Sequence, residues 1–247
     1  MRGSLRPDLG RGGPLEQLER YPFTYGVLLA NVLLFAFVVL KAGGPHVDAG
    51  LIARLGGNVY PLVLHEPWRL FTCAFLHYDL LHVLGNSLAL FFLGRLLEVH
   101  YGHHRLWVLY VAFALASSLG SASWSALVAR GVVPFGHVGV SAGASGAVSG
   151  LLLLGFVYAR EHADRLGSLA RTLQTWILVG VAVTALVPRI DVASHVAGAV
   201  AGALAGALVQ PLPGRAPHPA WKPLSLACCL LALAAEGAAV VSLRQGL

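Results

Sequence analysis

Polar side chains that could perform acyl transfer interrupt three long apolar stretches of this 247-residue chain. The first stretch contains His82 and Asn86, another opens with Ser145, and a later one contains His195. A serine hydroxyl becomes an effective nucleophile only when a neighbouring base accepts its proton. Ser145 and His195 could therefore form an activated nucleophile pair.

Acyl transfer also requires hydrogen-bond donors for the oxygen that becomes negative in the transition state. His82 and Asn86 are four residues apart, so they share one helix face, and both side chains can donate. Ser145 begins a predicted helix, where free backbone N–H groups and the positive end of the helix dipole face the nucleophile. His77 would lie about 140° around the helix from His82. We therefore expect His77 to brace a loop.

The composition indicates where this chemistry would take place. Hydrophobic residues make up 57% of the chain and charged residues 11%, and the mean hydropathy is +0.72. Soluble domains carry about 25% charged residues, and a transmembrane β-barrel would show short alternating segments. The sequence therefore predicts an all-α polytopic membrane protein. The chain has 17 basic and 11 acidic residues. We assign the excess of basic residues to loops at a membrane surface and expect no nucleic acid partner.

Seven apolar segments are each predicted to span the membrane. They cover residues 23–40, 70–93, 106–128, 145–160, 173–187, 192–209 and 224–243. We divide the chain into an N-terminal segment (1–21) with no removable signal peptide, a core (22–210), and a linker with a seventh helix (211–247). A cytoplasmic N-terminus places 11 of the 17 Lys and Arg residues on the cytoplasmic side, as the positive-inside rule favours.

Distances along the predicted helices indicate that the polar groups lie at similar depths. Counted from the cytoplasmic ends at 1.5 Å per residue, His82, Ser145 and His195 lie about 20, 22 and 24 Å away. Small residues also provide faces on which the spans can meet. Gly146 and Gly150 are four apart in the fourth span, and the sixth span carries a ridge on the face of His195, formed by Gly198, Gly202 and Gly206. This packing would bring Ser145 toward His195.

Each of these residues also has a purely structural interpretation. Ser145 could be an ordinary helix N-cap, and His195 could be a hydrogen-bonded buried histidine. The similar estimated depths of Ser145, His195 and His82 favour a common catalytic role for the three residues. Asp191 lies one turn before His195 and could orient it, but a two-residue dyad is the more economical interpretation.

Two other classes of site fit the sequence less well. The pattern His77-x-Asp79-x-x-His82 lacks the pair of histidines four apart on a helix that zinc metalloproteases use. We therefore expect neither a metal ion nor a cofactor. A transporter would combine midplane polar residues with an inverted repeat, and no repeat is visible in this sequence.

Three motifs and a Trp-Arg pair resemble the signatures of the rhomboid family. They are His77-x-x-x-x-His82-x-x-x-Asn86, Gly143-Ala144-Ser145-Gly146, Ala193-Ser194-His195-Val196-Ala197-Gly198, and Trp68-Arg69. The resemblance covers residues 20–210. It implies a rhomboid-like six-helix bundle, to which this chain adds a seventh helix, and it implies that residues 42–69 form a half-embedded loop.

The resemblance implies an intramembrane serine protease that needs no cofactor. Ser145 would be the nucleophile and His195 the general base, and His82 and Asn86 would form the oxyanion hole with the Ser145 N–H. His77, Gly143 and Gly146 would support the site. Substrates would be single-pass transmembrane proteins cut near the outer membrane face, so the expected partners are transmembrane helices and lipid. We expect a multi-pass protein of the bacterial inner membrane.

The chain departs from the family pattern at two positions. Ser149 stands where the family often has an aromatic residue that packs on the catalytic histidine, and Ser194 stands where alanine is common. The alternative to a protease is a catalytically inactive rhomboid-like protein that binds transmembrane clients. Such relatives typically lack the serine or the histidine, and this chain has both.

Overall fold

A computed structural model of the chain describes residues 13–136, 139–187, 190–209, 211 and 218–244. The described residues form α-helices and two short 3-10 turns, without a β-strand among them, so the all-α prediction is confirmed. The helices are α1 (Pro14–Arg20), α2 (Pro22–Ala42), α3 (Ala49–Arg54), α4 (Arg69–Thr72), α5 (Leu80–Tyr101), α6 (His103–Ala129), α7 (Ser145–Glu161), α8 (Ala163–Leu186), α9 (Val192–Leu208) and α10 (Trp221–Arg244).

Seven long helices correspond to the seven predicted spans. Five of them, α2, α5, α6, α8 and α10, are long and apolar enough to cross a membrane. The other two, α7 and α9, have 17 residues each, which is about 25 Å of helix. α7 packs against α5, α6, α8 and α9 and so lies inside the bundle.

The prediction of one helix over residues 70–93 is wrong at both ends. Arg69–Thr72 is a separate short helix, Cys73–Phe75 is a 3-10 turn, and α5 runs from Leu80 to Tyr101. α5 begins at Leu80 because the Asp79 side chain caps it, accepting a hydrogen bond from His82 N at 2.8 Å. The distance of His82 from the cytoplasmic end of its helix is therefore longer than the predicted 20 Å or so. His82 is separated from Tyr101 by 19 residues, about 28 Å of helix. α8 also begins earlier than predicted, at Ala163.

The predicted glycine ridge is confirmed as the surface on which α9 meets α7. A Cβ atom added at Gly198 would lie 2.0 Å from the carbonyl oxygen of Gly146. A Cβ added at Gly202 would lie 2.0 Å from the carbonyl oxygen of Gly150. The two backbones are therefore in direct contact, and no side chain fits between them at these positions.

A buried carboxylate joins α2 to α5. Glu98 accepts hydrogen bonds from the backbone N–H groups of Phe23 and Thr24 at 2.7 and 3.0 Å, and from the Thr24 hydroxyl at 2.7 Å. The carboxylate thus pairs two N–H groups of the first turn of α2 that have no partner within the helix.

Arg69 and Thr72 hold the loop between α2 and α5 together from within. Arg69 is 3% exposed, and its guanidinium donates to the carbonyls of Ala53 and Gly57. The Thr72 hydroxyl donates to the carbonyl of Gly56 at 2.7 Å. A separate hydrogen bond, from Asn58 Nδ2 to the carbonyl of Ser118 at 2.8 Å, links the loop to α6.

Candidate active site

The close packing of α7 on α9 brings Ser145 and His195 into hydrogen-bond contact. Ser145 is the first residue of α7, and His195 lies in the first turn of α9. The distance between Ser145 Oγ and His195 Nε2 is 2.7 Å, a normal hydrogen-bond length. Both side chains are partly buried. The structure thus joins two residues that are 50 positions apart in the sequence.

The other ring nitrogen of His195 contacts a threonine that the sequence analysis did not identify. His195 Nδ1 lies 3.0 Å from the hydroxyl oxygen of Thr184, near the end of α8. A threonine in an apolar helix carries no distinctive pattern, so no sequence feature marked it. Asp191 makes other contacts: its carboxylate accepts hydrogen bonds from the Ser194 N–H at 3.0 Å and from the Ser121 hydroxyl. Asp191 therefore caps α9.

His82 and Asn86 lie beside the strained backbone that leads to Ser145. Gly143 has a φ of +127°, which side-chain-bearing residues rarely adopt. A Cβ atom there would also lie 2.6 Å from the His82 ring and 3.7 Å from Asn86 Nδ2. Among the described residues, the buried Asn86 Nδ2 has no hydrogen-bond partner. It is thus a free donor next to the segment that carries the serine.

His77 lies in the loop before α5, so its expected place on the same helix as His82 is wrong. Its ring is fully buried, with Nδ1 3.2 Å from the carbonyl oxygen of Phe75 and the ring centroid 5.0 Å from that of His82. Burial, and after it the neighbouring His82, lowers the pKa of His77 to about 3. His77 is therefore neutral at pH 7 and packs against the ring of His82.

Hydrogen bonds fix the segment before α7 to the first loop. Asn58 and Ser141 exchange two backbone hydrogen bonds, each of 2.9 Å. Gly143 N donates to the carbonyl of Cys73 at 2.8 Å, and the Tyr78 hydroxyl donates to the carbonyl of Val140 at 2.5 Å. The backbone segment that precedes Ser145 is therefore fixed by hydrogen bonds to the first loop before α7 begins.

Both departures from the family pattern have hydrogen-bond partners in the structure. The Ser194 hydroxyl lies 2.6 Å from that of Ser117 on α6, and the Ser149 hydroxyl donates to the carbonyl of Ser145 at 2.9 Å. Ser194 thus links α9 to α6. Ser149 bonds to its own helix and places no aromatic ring against His195. Within the described ranges, no three His, Cys, Asp or Glu side chains group as a metal site would require.

The chain is similar to known proteins over much of its length. The Rhomboid domain family model matches residues 64–211. RHOMBOID-like protein 1 of Arabidopsis thaliana is 37% identical over 174 residues, which are 65% of this chain and 40% of that protein. Rhomboid protease GluP of Bacillus subtilis is 28% identical over 176 residues, 70% of this chain and 32% of that protein. The chain thus spans about a third to a half of the length of the curated relatives it matches.

Proposed function

The chain belongs to the rhomboid family, and from that premise we propose that it is an intramembrane serine endopeptidase. It would cleave transmembrane substrates near the outer membrane face with a Ser145–His195 dyad. The observation that supports this most strongly is the 2.7 Å hydrogen bond between Ser145 Oγ and His195 Nε2. The Bacillus subtilis relative is named a rhomboid protease.

In this proposal His195 acts first as a base and then as an acid. Nε2 accepts the Ser145 proton while Oγ bonds to the scissile carbonyl carbon and the carbonyl π electrons move to oxygen. When the tetrahedral intermediate collapses, the C–N bond breaks and Nε2 returns the proton to the leaving amine. In deacylation, His195 Nε2 accepts a proton from a water molecule while the water oxygen bonds to the acyl carbon. The ester C–O bond then breaks, Nε2 returns the proton to Ser145 Oγ, and the carboxylic acid product is released.

The developing oxyanion would be stabilised by donors from two helices. Asn86 Nδ2 is buried on α5 and has no protein partner among the described residues, and His82 lies on the same face. The Ser145 N–H, at the start of α7, has no partner within its own helix. Donors held in place before the reaction stabilise the transition state without reorganisation.

The lengths of α7 and α9 support a cut near the outer face. A 17-residue helix spans about 25 Å, less than the roughly 30 Å of membrane hydrocarbon. With their carboxyl ends at the cytoplasmic boundary, both helices would begin about 5 Å below the outer boundary. The chain is an integral multi-pass membrane protein. We propose a cytoplasmic N-terminus from the distribution of basic loops, and its relatives come from both a plant and bacteria.

Cleavage of a transmembrane reporter tests the proposed function. The purified chain, reconstituted in lipid vesicles with a single-pass substrate, is expected to produce two fragments whose new termini map near the outer end of the substrate helix. Mass spectrometry of the fragments locates the cut. Capture of the intact substrate without cleavage would contradict the protease assignment and support the client-binding alternative.

Replacing Asn86 by alanine is expected to lower kcat about 10–100-fold and to leave KM nearly unchanged, because one oxyanion donor is lost. Initial rates over a range of substrate concentrations in vesicles measure both constants. Asn31→Ala, the same change at a buried position of α2, controls for the general cost of removing a buried amide. Equal effects of the two changes would show that Asn86 has no role in the transition state.

A further inference from the structure

The base of the proposed dyad has a hydrogen-bond partner that is not a carboxylate. The contact of His195 Nδ1 in the structure is the Thr184 hydroxyl, at 3.0 Å. The nearest acid in sequence, Asp191, instead bonds to the N–H of Ser194 and to the hydroxyl of Ser121. The group that can orient the His195 imidazole is therefore a neutral hydroxyl, that of Thr184 on α8.

Thr184 lies in a part of α8 that packs little against the bundle. The buried residues of α8, Ala170 and Leu173, both lie in its first half. In the second half Val181, Val183 and Leu186 are 62%, 46% and 80% exposed. Thr184 is partly buried among these exposed neighbours, because its side chain faces His195. The hydrogen bond between Thr184 and His195 thus links the second half of α8 to the site.

We propose that Thr184 is the positioning residue of His195. The Thr184 Oγ accepts a hydrogen bond from Nδ1–H, which keeps the proton on Nδ1. Nε2 then carries the lone pair that accepts the Ser145 proton. The same bond persists when His195 becomes positively charged, so the ring keeps its orientation between the two proton transfers. This inference rests on the proposed protease function.

Three variants on α8 separate positioning from packing. Thr184→Val keeps the shape and removes the acceptor, whereas Thr184→Ser keeps the acceptor. Thr175→Val is the matched control, because the Thr175 hydroxyl donates to the carbonyl of Arg171 in its own helix, at 3.1 Å, and makes no other hydrogen bond among the described residues. Each variant is assayed for kcat and KM in vesicles, for melting temperature, and for the rate at which a fluorophosphonate probe labels Ser145.

Thr184→Val is expected to lower both kcat and the labelling rate about tenfold, which corresponds to about 1.4 kcal/mol, with KM and melting temperature close to wild type. Thr184→Ser and Thr175→Val are expected to stay near wild type. The proposal is overturned if Thr184→Val matches Thr175→Val, or if Thr184→Ser loses as much as Thr184→Val. A wild-type chain that neither cleaves nor takes the probe would instead refute the protease function, and the positioning role with it.

Discussion

Ser145→Ala and His195→Ala are each expected to lower kcat for cleavage of a transmembrane substrate by at least about 10³-fold. Ser145→Ala removes the only atom that could form the acyl ester in the proposed reaction. His195→Ala removes Nε2, the base that lies 2.7 Å from Ser145 Oγ, and no other base is bonded to Ser145 in the part of the chain that the structure describes. The measurement is the rate of fragment appearance in vesicles with saturating substrate.

The double variant tests whether Ser145 and His195 act as one unit, which neither single change can show. Because the two side chains act as one unit, the combined Ser145→Ala and His195→Ala protein is expected to be no slower than Ser145→Ala alone. Ser168→Ala and His65→Ala make the same substitutions at exposed positions and are expected to keep activity within about twofold. Multiplicative losses in the double variant would mean that the serine and the histidine act independently.

Gly198→Val is expected to be the most damaging single change outside the dyad. A Cβ atom at Gly198 would lie 2.0 Å from the carbonyl oxygen of Gly146, and the extra methyl groups of valine worsen the overlap. Because the obstacle is backbone, α9 must move away from α7. We expect a loss of about 3 kcal/mol of stability, at the upper end of the usual cost of overpacking. We also expect a loss of nearly all cleavage, since Ser145 and His195 lie on the separated helices.

Gly198→Ala tests an intermediate side-chain size at the same position, and Gly237→Ala is the control. The alanine at Gly198 introduces the same overlap with less bulk, so its effect should lie between wild type and valine. Gly237 on α10 has no atom within 4 Å of an added Cβ, so alanine there should be neutral. Unfolding in detergent, followed by intrinsic fluorescence, measures stability. Wild-type stability of Gly198→Val would contradict the close packing of α7 on α9.

The pairing of α7 with α9 could be predicted from sequence because few residues determine it. The four-residue spacing of Gly198, Gly202 and Gly206 selects one helix face, and His195 lies on that face. Gly146 and Gly150 offer the matching surface. When backbones pack in direct contact, side-chain detail has little influence, so the spacing alone predicts which faces meet.

The start of α5 could not be read from the apolar pattern. Residues 70–78 are as apolar as the helix that follows, and hydrophobicity does not separate two short helical turns from one long span. Asp79 was the available signal, because an aspartate immediately before an apolar run is a common N-cap. Read in that way, it would have placed the start of the helix at Leu80 and His77 in the preceding loop.

The contact of Thr184 with His195 depends on tertiary geometry that the sequence does not express. Its formation requires the rotation of α8 about its own axis and the path of the chain between α8 and α9. Neither leaves a periodic pattern in the second half of α8, whose residues other than Thr175 and Thr184 are apolar. Glu98 was missed for another reason: the predicted span ends at residue 93, whereas α5 continues to Tyr101 and contains it. A carboxylate within an apolar helix is costly unless it is paired, so a correct helix end would have marked it.

Covalent labelling of Ser145 tests the central claim most directly. The wild-type chain is treated in lipid vesicles with a fluorophosphonate, which phosphonylates a serine only when its hydroxyl is activated. Peptide mass spectrometry then locates the adduct. The account predicts an adduct on Ser145 in the wild-type chain and its loss in His195→Ala. An adduct on another residue, or one on Ser145 that forms equally fast in His195→Ala, would contradict the dyad.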